Sequence, residues 1–185
     1  DLAYRIAQTY TQAKDVLVMD NAYHGHTNTL IDLSPCKFNG KGGLGQKDYV
    51  HIAKMPDGIR GRWKYSDKFW VKKYIQQVQN LIEEIYANNK RLSCFIVESI
   101  LGCGGQIILP QAYLKEVFKL IRKKNALCII DEVQTGFGRV GNNFWAFAEH
   151  SVLPDIVTLG KPMGNGHPIA AVVTTKEIAN VFNNG

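Results

Sequence analysis

The chain has 185 residues, of which 45% are apolar and 21% charged, so it can bury one sizeable hydrophobic core. This composition excludes a disordered or fibrous protein. No stretch approaches the roughly 18 apolar residues of a membrane span, and the first residues lack a secretory leader pattern. The four cysteines form no C-x-x-C pair, which predicts reduced thiols, an intracellular compartment and no metal site.

The net charge of +6 is unevenly distributed. The segment from Lys37 to Lys73 holds ten Lys or Arg and three Asp, a surplus of seven positive charges. Such a segment can attract a phosphorylated substrate, contact nucleic acid or form an ordinary solvated surface, and all three interpretations stay open at this point. The candidates for contact with a phosphate are Lys37, Arg60, Arg62 and Lys64.

The first half of the chain contains alternating helix and strand signals. Apolar residues at helical spacing predict an opening helix over residues 2–13, and a short apolar run predicts a strand over 16–19, followed by the polar turn Tyr23-His24-Gly25. The glycine-rich stretch 40–45 lacks the Gly-Lys-Ser/Thr ending of a phosphate loop, so it is predicted to be a surface loop. A short helix is expected over 27–33, a strand over 50–53 and a long helix over 69–86.

The second half repeats an apolar strand that ends in a charged residue. Residues 95–97 lead to Glu98, residues 127–130 lead to Asp131, and residues 156–159 lead to Gly160-Lys161-Pro162. Between the first two of these strands, Pro110 is expected to open a helix. Residues 169–174 are expected to form a last buried strand, and a helix is expected to begin at residue 176. Pro162 is expected to hold Lys161 in an extended conformation. The repetition predicts a mostly parallel sheet flanked by helices.

In such a sheet, ligands bind at the carboxyl ends of the strands, so Asp131 and Lys161 are expected to face one crevice. A strand-terminal Asp is often only a helix cap, and a lone lysine is usually solvated. Together they suit pyridoxal 5'-phosphate, which needs a lysine amine for its Schiff base and a carboxylate that keeps its ring nitrogen protonated.

Two nucleotide-binding patterns compete with this interpretation. Residues 136–141 satisfy G-x-G-x-x-G, and Asp155 lies nineteen positions beyond Gly136. In a dinucleotide-binding fold the first glycine follows the strand directly, whereas here Asp131 and Glu132 intervene and would oppose a pyrophosphate. Ile129-Ile130-Asp131-Glu132 also resembles the magnesium-binding strand of an ATPase, but the partner phosphate loop is lacking.

Three motifs in order resemble those of the class III aminotransferase family of fold-type I pyridoxal phosphate enzymes. They are the turn 23–25, the run 131–139 and the run 160–168. The resemblance extends along the whole chain and implies an α/β fold, the fold-type I large domain. Residues 1–185 would be the central part of that domain, with the family's N-terminal phosphate-binding turn and C-terminal small domain outside this chain.

The resemblance also assigns roles to individual residues. It implies that Lys161 forms the Schiff base and later acts as a general base, and that Asp131 keeps the cofactor ring protonated. Tyr23 and Val133 would cover the two faces of the ring. The remaining cofactor contacts that it implies are His24 beside Tyr23, Gln134 at the phenolic oxygen, and Glu98 as a more distant acid.

Within the family, residues 31–38 and 103–106 resemble the phospho-lyases that act on phosphoethanolamine or phosphohydroxylysine. Many family members carry a gating glutamate in the loop where this chain has Cys103, which disfavours ordinary transamination with glutamate. The resemblance therefore implies a phospho-lyase, active as a homodimer in mitochondria or cytosol, on a small phosphorylated amine or amino acid. An ω-aminotransferase of the alanine-glyoxylate type is the alternative. A non-catalytic basic module is a further possibility, although we expect neither nucleic acid nor membrane as a partner.

Overall fold

The structure is a computed structural model and describes residues 1–183. Its helices are α1 (Leu2–Thr11), α2 (Asn28–Asp32), α3 (Pro35–Phe38), α4 (Trp70–Ala87), α5 (Tyr113–Arg122) and α6 (Lys176–Asn183). Its strands are β1 (Asp15–Met19), β2 (Val50–Ala53), β3 (Leu92–Glu98), β4 (Ile100–Leu101), β5 (Ile107–Ile108), β6 (Leu127–Asp131), β7 (Ile156–Leu159) and β8 (Ala171–Thr174). Two short 3₁₀ helices cover Ala146–His150 and Lys161–Gly164.

Six strands form the central sheet in the order β2-β1-β3-β6-β7-β8. All neighbouring pairs are parallel except β7 and β8, which are antiparallel at the sheet edge. The predicted α/β architecture with a mostly parallel sheet is therefore confirmed. Strands β4 and β5 form a separate small hairpin next to the end of β3.

Alternate side chains of the central strands pack into two separate hydrophobic cores. In β1, Leu17 and Met19 face helices α4 and α5, whereas Val16 and Val18 face α1 and α6. This alternation follows from the two-residue period of a strand. Because both faces are covered, the central strands are continuous apolar runs and their polar residues are concentrated at the strand ends.

Two details of the sequence prediction are wrong. Helix α5 begins at Tyr113 and not at Pro110, because Pro110 belongs to the preceding turn, which the Tyr113 N–H closes on the Pro110 carbonyl at 3.1 Å. Strand β8 is mostly half-exposed rather than buried, because it lies at the edge of the sheet. Within residues 1–183, no helix combines the length and apolar character needed to cross a membrane.

Candidate active site

The carboxyl ends of four sheet strands converge on one cleft. The turn after β1 contributes Tyr23 and His24, β3 ends at Glu98, β6 ends at Asp131, and the turn after β7 contributes Lys161. Glu98 and Asp131 are direct neighbours in the register of β3 and β6. The parallel register explains the convergence, since the ends of adjacent parallel strands meet at one edge.

All seven residues predicted to bind the cofactor line this cleft, whose empty volume is about 520 Å³. They are Tyr23, His24, Glu98, Asp131, Val133, Gln134 and Lys161. Long-range folding has therefore brought together residues that are up to 138 positions apart in the sequence.

Asp131 is held in place from two sides. Its Oδ1 accepts a hydrogen bond from the backbone N–H of Val133 at 3.1 Å, and its Oδ2 lies 3.0 Å from Nδ1 of His24. A carboxylate only accepts hydrogen bonds, so this contact assigns the proton to Nδ1 of His24. Asp131 is 9% exposed and the His24 side chain is fully buried, so the pair forms a rigid floor of the cleft.

Two buried side-chain atoms near this pair have no hydrogen-bond partner among residues 1–183. They are Nε2 of His24 and Oγ1 of Thr158, which is the register neighbour of Asp131 on β7. Buried polar groups in folded proteins nearly always have partners. Two unpaired polar atoms at this edge of the sheet fit a polar occupant, such as a cofactor ring that carries a nitrogen.

Glu98 forms a second buried carboxyl group in the cleft. It accepts hydrogen bonds from the backbone N–H groups of Tyr23 at 3.2 Å and Gly102 at 3.0 Å. Burial raises the pKa of its carboxyl above the usual value of 4.5, against the lowering effects of His24 and of the two N–H groups. Glu98 thus links the turn after β1 to the glycine-rich loop after β4.

We expect this raised pKa to make the stability of the protein depend on pH. The folded state retains the Glu98 proton to a higher pH than the unfolded chain, so its free energy of unfolding decreases as the pH rises from about 4.5 through the folded-state pKa. Unfolding in urea across this range, compared between the wild type and Glu98→Gln, should show that the substitution removes this slope. The exposed Glu84→Gln control should retain it, and equal slopes in all three proteins would contradict the assignment.

Lys161 lies in a tight turn and not in an extended segment. Its φ is +40°, and the N–H of Met163 closes the turn on the carbonyl of Gly160 at 3.0 Å. The extended conformation predicted from Pro162 is therefore wrong, because closure of the turn overrides the local preference. A non-glycine residue at positive φ is strained by about 1–3 kcal/mol, and such residues cluster at functional sites.

Val133 packs directly beside this turn. A Cβ added to Gly160 would lie 3.4 Å from Cγ1 of Val133, an ordinary van der Waals distance, so the Lys161 turn lies directly against the segment after β6. Gln134 is exposed and lines the cleft. Its amide group and the carboxylate of Glu98 lie about equally close to Gly102. The segment 131–134 therefore contacts both the lysine turn and the glycine-rich loop.

Glu132 is a structural residue that the sequence analysis did not single out. It is fully buried and accepts four hydrogen bonds, which come from the Ser99 and Thr135 hydroxyls and from the N–H groups of Ala146 and Phe147. These contacts tie the segment after β6 to the 3₁₀ helix at 146–150. The doubled acid Asp131-Glu132 was the available signal, since adjacent strand-end residues point in opposite directions.

We expect Glu132→Ala to destabilise the protein by about 3 kcal/mol or more, because it leaves buried donors unsatisfied. The measurement is the free energy of unfolding in urea. Glu149→Ala removes an exposed carboxylate from the same 3₁₀ helix and should change it by about 0.5 kcal/mol or less. Similar effects of the two substitutions would show that the Glu132 network contributes little.

The residues of the basic segment lie in different places. Lys37 stacks its ammonium on the Tyr23 ring, 5.2 Å from the centroid, at the mouth of the cleft. Arg60 pairs with Asp57 at 2.9 Å and lies against Gly105. Arg62 stacks on Trp63, away from the cleft. The ammonium of Lys64 donates a hydrogen bond to the carbonyl of Ile59. The structure therefore brings Lys37, but neither Arg62 nor Lys64, to the side chains of the cleft.

The G-x-G-x-x-G pattern at 136–141 does not form a dinucleotide site. Gly138 and Gly141 lie in turns, and the next element is the 3₁₀ helix at 146–150 rather than an α-helix that a phosphate could cap. A dinucleotide-binding turn opens directly into a helix. These glycines instead serve the turn in which Phe137, Phe144 and Trp145 pack edge to face.

Comparison with known proteins agrees with this geometry. A family model described as aminotransferase class-III matches residues 2–185. The chain belongs to the class III aminotransferase family. Its relatives include a Drosophila melanogaster "alanine--glyoxylate aminotransferase 2-like" protein, 46% identical over 98% of this chain and 37% of the relative. A Caenorhabditis elegans "ethanolamine-phosphate phospho-lyase homolog 1" is 43% identical over 98% of this chain and 41% of the relative.

Solved structures of this family share the fold of the chain. A phospholyase from Arthrobacter in complex with phosphoethanolamine has a TM-score of 0.88 at 35% identity, over 99% of this chain and 42% of its own. A Pseudomonas amine transaminase in its PLP-bound form has a TM-score of 0.88 at 26% identity, over 43% of its length. The chain thus spans about two fifths of the class III proteins that it matches.

Proposed function

We propose that the protein is a pyridoxal phosphate enzyme and that its active site includes the cleft at the ends of β1, β3, β6 and β7. The observation that carries this proposal is the convergence of seven residues on one cleft, among them a carboxylate and a lysine from neighbouring strands. Membership of the class III family supports the same cofactor. Because the chain spans only part of its relatives, the proposal concerns the protein in which this segment occurs.

The donor groups of the cleft fit this cofactor. Asp131, held by Val133 and His24, would bind the protonated ring nitrogen, and Lys161 would carry the cofactor covalently. Tyr23 and Val133 offer an aromatic and an aliphatic surface for the ring faces. Gln134 would donate a hydrogen bond to the phenolic oxygen. Glu98 would hold Tyr23 in place by accepting a hydrogen bond from its backbone N–H.

When bound, pyridoxal phosphate withdraws electrons from the substrate carbon that carries nitrogen, so that its proton can be removed. Lys161 is the residue of this chain that would take that proton and return it, since it is the lysine that lines the cleft among residues 1–183. Asp131 would stabilise positive charge on the ring side, and His24 would keep this carboxylate oriented. The apolar contact of Val133 with Gly160 would keep the lysine turn close to the ring.

We propose phospho-lyase activity as the reaction. In this reaction the carbon that bears the amine loses a proton, and the neighbouring carbon loses phosphate together with the electron pair of its C–O bond. Water then hydrolyses the unsaturated amine to an aldehyde and ammonia. Support comes from the C. elegans relative and from the Arthrobacter phospholyase, whose structure contains phosphoethanolamine. Cys103 at the exposed tip of the glycine-rich loop, where a glutamate gate would allow α-carboxylate exchange, supports the same choice.

An ω-aminotransferase is the second candidate, because the Drosophila relative bears the alanine-glyoxylate name and the same cleft residues serve both reactions. Release of inorganic phosphate from phosphoethanolamine distinguishes the two, since a transaminase would instead convert alanine and glyoxylate to pyruvate and glycine. The whole protein, loaded with pyridoxal phosphate, should release phosphate and ammonia in equal amounts. Transfer of amino groups without phosphate release would overturn the phospho-lyase proposal.

Cofactor attachment is tested separately by borohydride reduction and peptide mapping. Stoichiometric labelling of Lys161 in the loaded protein is expected, whereas labelling scattered over exposed lysines such as Lys115 and Lys119 would contradict the proposed site. This readout is independent of turnover. A failure of the reaction is thereby distinguished from a failure of the cofactor site.

We further propose that residues 1–185 form the central part of the cofactor-binding large domain, because they match about two fifths of each relative. Homodimerisation and a mitochondrial or cytosolic location are proposed on the basis of the family. The human and Arabidopsis thaliana relatives carry "mitochondrial" in their names. Sedimentation of the whole protein and fractionation of the source cells test these two points.

A further inference from the structure

The proposed substrate carries a phosphate group, and the floor of the cleft cannot accommodate it. Glu98 and Asp131 occupy neighbouring positions there, and both are buried. Two carboxyl groups in a region of low dielectric constant repel a phosphate dianion strongly. The phosphate end of a substrate must therefore point toward the mouth of the cleft, where a cation is needed.

Lys37 is the cation at that mouth. Its ammonium lies over the ring of Tyr23, which itself lines the cleft. Within residues 1–183, no carboxylate lies within ion-pair distance of Lys37. By contrast, Lys47, Lys54, Arg60 and Lys73 of the basic segment pair with Asp32, Asp20, Asp57 and Asp67, respectively. No side-chain carboxylate of residues 1–183 therefore competes with an external anion for the Lys37 ammonium.

The backbone of Lys37 is anchored to the turn that carries Tyr23 and His24. The N–H of Cys36 donates to the carbonyl of Ala22 at 3.3 Å, and the N–H of His24 donates to Oγ of Ser34 at 3.0 Å. Pro35 and Phe38 are buried on the inner side of the same short helix. These contacts place the base of the lysine at a defined position, which reduces the entropy lost when it binds a ligand.

The other stacked cations of the basic segment lie on rings outside the cleft. Arg62 stacks on Trp63, and Lys68 and Lys72 stack on Phe69, whereas the cleft lining includes neither of these rings. The segment is thus mostly an ordinary basic surface. Lys37, the first lysine of the segment, differs from the rest because its ammonium stacks on a ring that lines the cleft.

We propose that Lys37 recognises the terminal phosphate monoester of the substrate and thereby selects phosphorylated amines over unphosphorylated ones. This inference rests on the proposed function and deepens it. Lys37 would bind the leaving group and Lys161 would handle the proton, so the two lysines would divide the two tasks. Stacking on Tyr23 would keep the ammonium aligned until the anion arrives.

The test uses the whole protein loaded with pyridoxal phosphate and the variants Lys37→Met, Lys37→Arg and Lys68→Met. Two quantities are measured, the Kd for inorganic phosphate by calorimetry and the KM for phosphoethanolamine from phosphate release. We expect Lys37→Met to raise both by roughly 10- to 100-fold, as for loss of a hydrogen bond to a charged group. Lys37→Arg should retain most of the affinity, because it keeps the charge. Lys68→Met removes an equal charge from a comparable stacked site and should leave both values near the wild type.

Three other outcomes would each contradict a different part of the proposal. If the wild type releases phosphate but Lys37→Met has the same Kd and KM as Lys68→Met, Lys37 does not recognise the phosphate. The proposed reaction would then still stand. If Lys37→Met weakens binding of unphosphorylated ethanolamine as much as that of phosphoethanolamine, Lys37 acts through Tyr23 and not on the phosphate. If the wild type exchanges amino groups between alanine and glyoxylate but releases no phosphate, the proposed reaction and the ligand assigned to Lys37 both fail.

Discussion

Replacement of Lys161 by alanine is expected to lower turnover by about 10⁴-fold, the upper end of the contribution of a positioned general acid-base group. The substitution removes both the covalent attachment point and the proton carrier proposed for the cleft. The measurement is the initial rate of phosphate release from phosphoethanolamine by the whole protein loaded with cofactor.

Lys176→Ala is a matched control for this substitution, because Lys176 is an exposed lysine at the start of α6 and does not line the cleft. Its rate should equal that of the wild type. Borohydride labelling should disappear in Lys161→Ala and persist in Lys176→Ala. A Lys161→Ala rate within tenfold of the wild type, with labelling elsewhere, would remove Lys161 from the proposed mechanism.

The second large effect is expected at Asp131. Asp131→Asn keeps an oxygen for the Val133 N–H but removes the negative charge, so the protein should fold while the rate falls by about 10²–10³-fold, as for loss of one preorganised electrostatic contact. The dissociation constant for pyridoxal phosphate should rise in parallel, since the proposed partner of the ring nitrogen is lost. The rate and the cofactor affinity are measured on the same preparation.

Asp20→Asn tests whether any carboxylate at this edge of the sheet has the same effect. Asp20 follows β1 directly, pairs with Lys54 at 3.9 Å and does not line the cleft. It should affect neither the rate nor the cofactor affinity. An Asp131→Asn protein that retains wild-type affinity for pyridoxal phosphate would show that this carboxylate does not bind the cofactor ring.

The apolar runs that end at Glu98, at Asp131 and before Lys161 were sufficient to predict the sheet. Residues on both sides of these strands are buried, so the strands are recognisable as uninterrupted apolar stretches, and the parallel direction of the first two follows from the helix between them. The same runs also predicted the position of the site, because charged residues at strand ends can only lie at the sheet edge. The edge strand β8 was less predictable, since its half-exposed residues carry the same apolar letters as a buried strand.

The order of elements, the residues of the cleft and the family could be predicted from the amino-acid sequence. The contacts that hold these residues could not, because hydrogen bonds between distant segments have no local signal. The contact of His24 with Asp131 joins residues 107 positions apart, and the four hydrogen bonds of Glu132 come from two loop residues and from the 3₁₀ helix at 146–150. Pro162 predicted an extended Lys161, but the residue lies in a turn at positive φ, a strained conformation that persists only where the surrounding structure holds it. Local preferences of about 1–3 kcal/mol are overcome where many tertiary contacts act together.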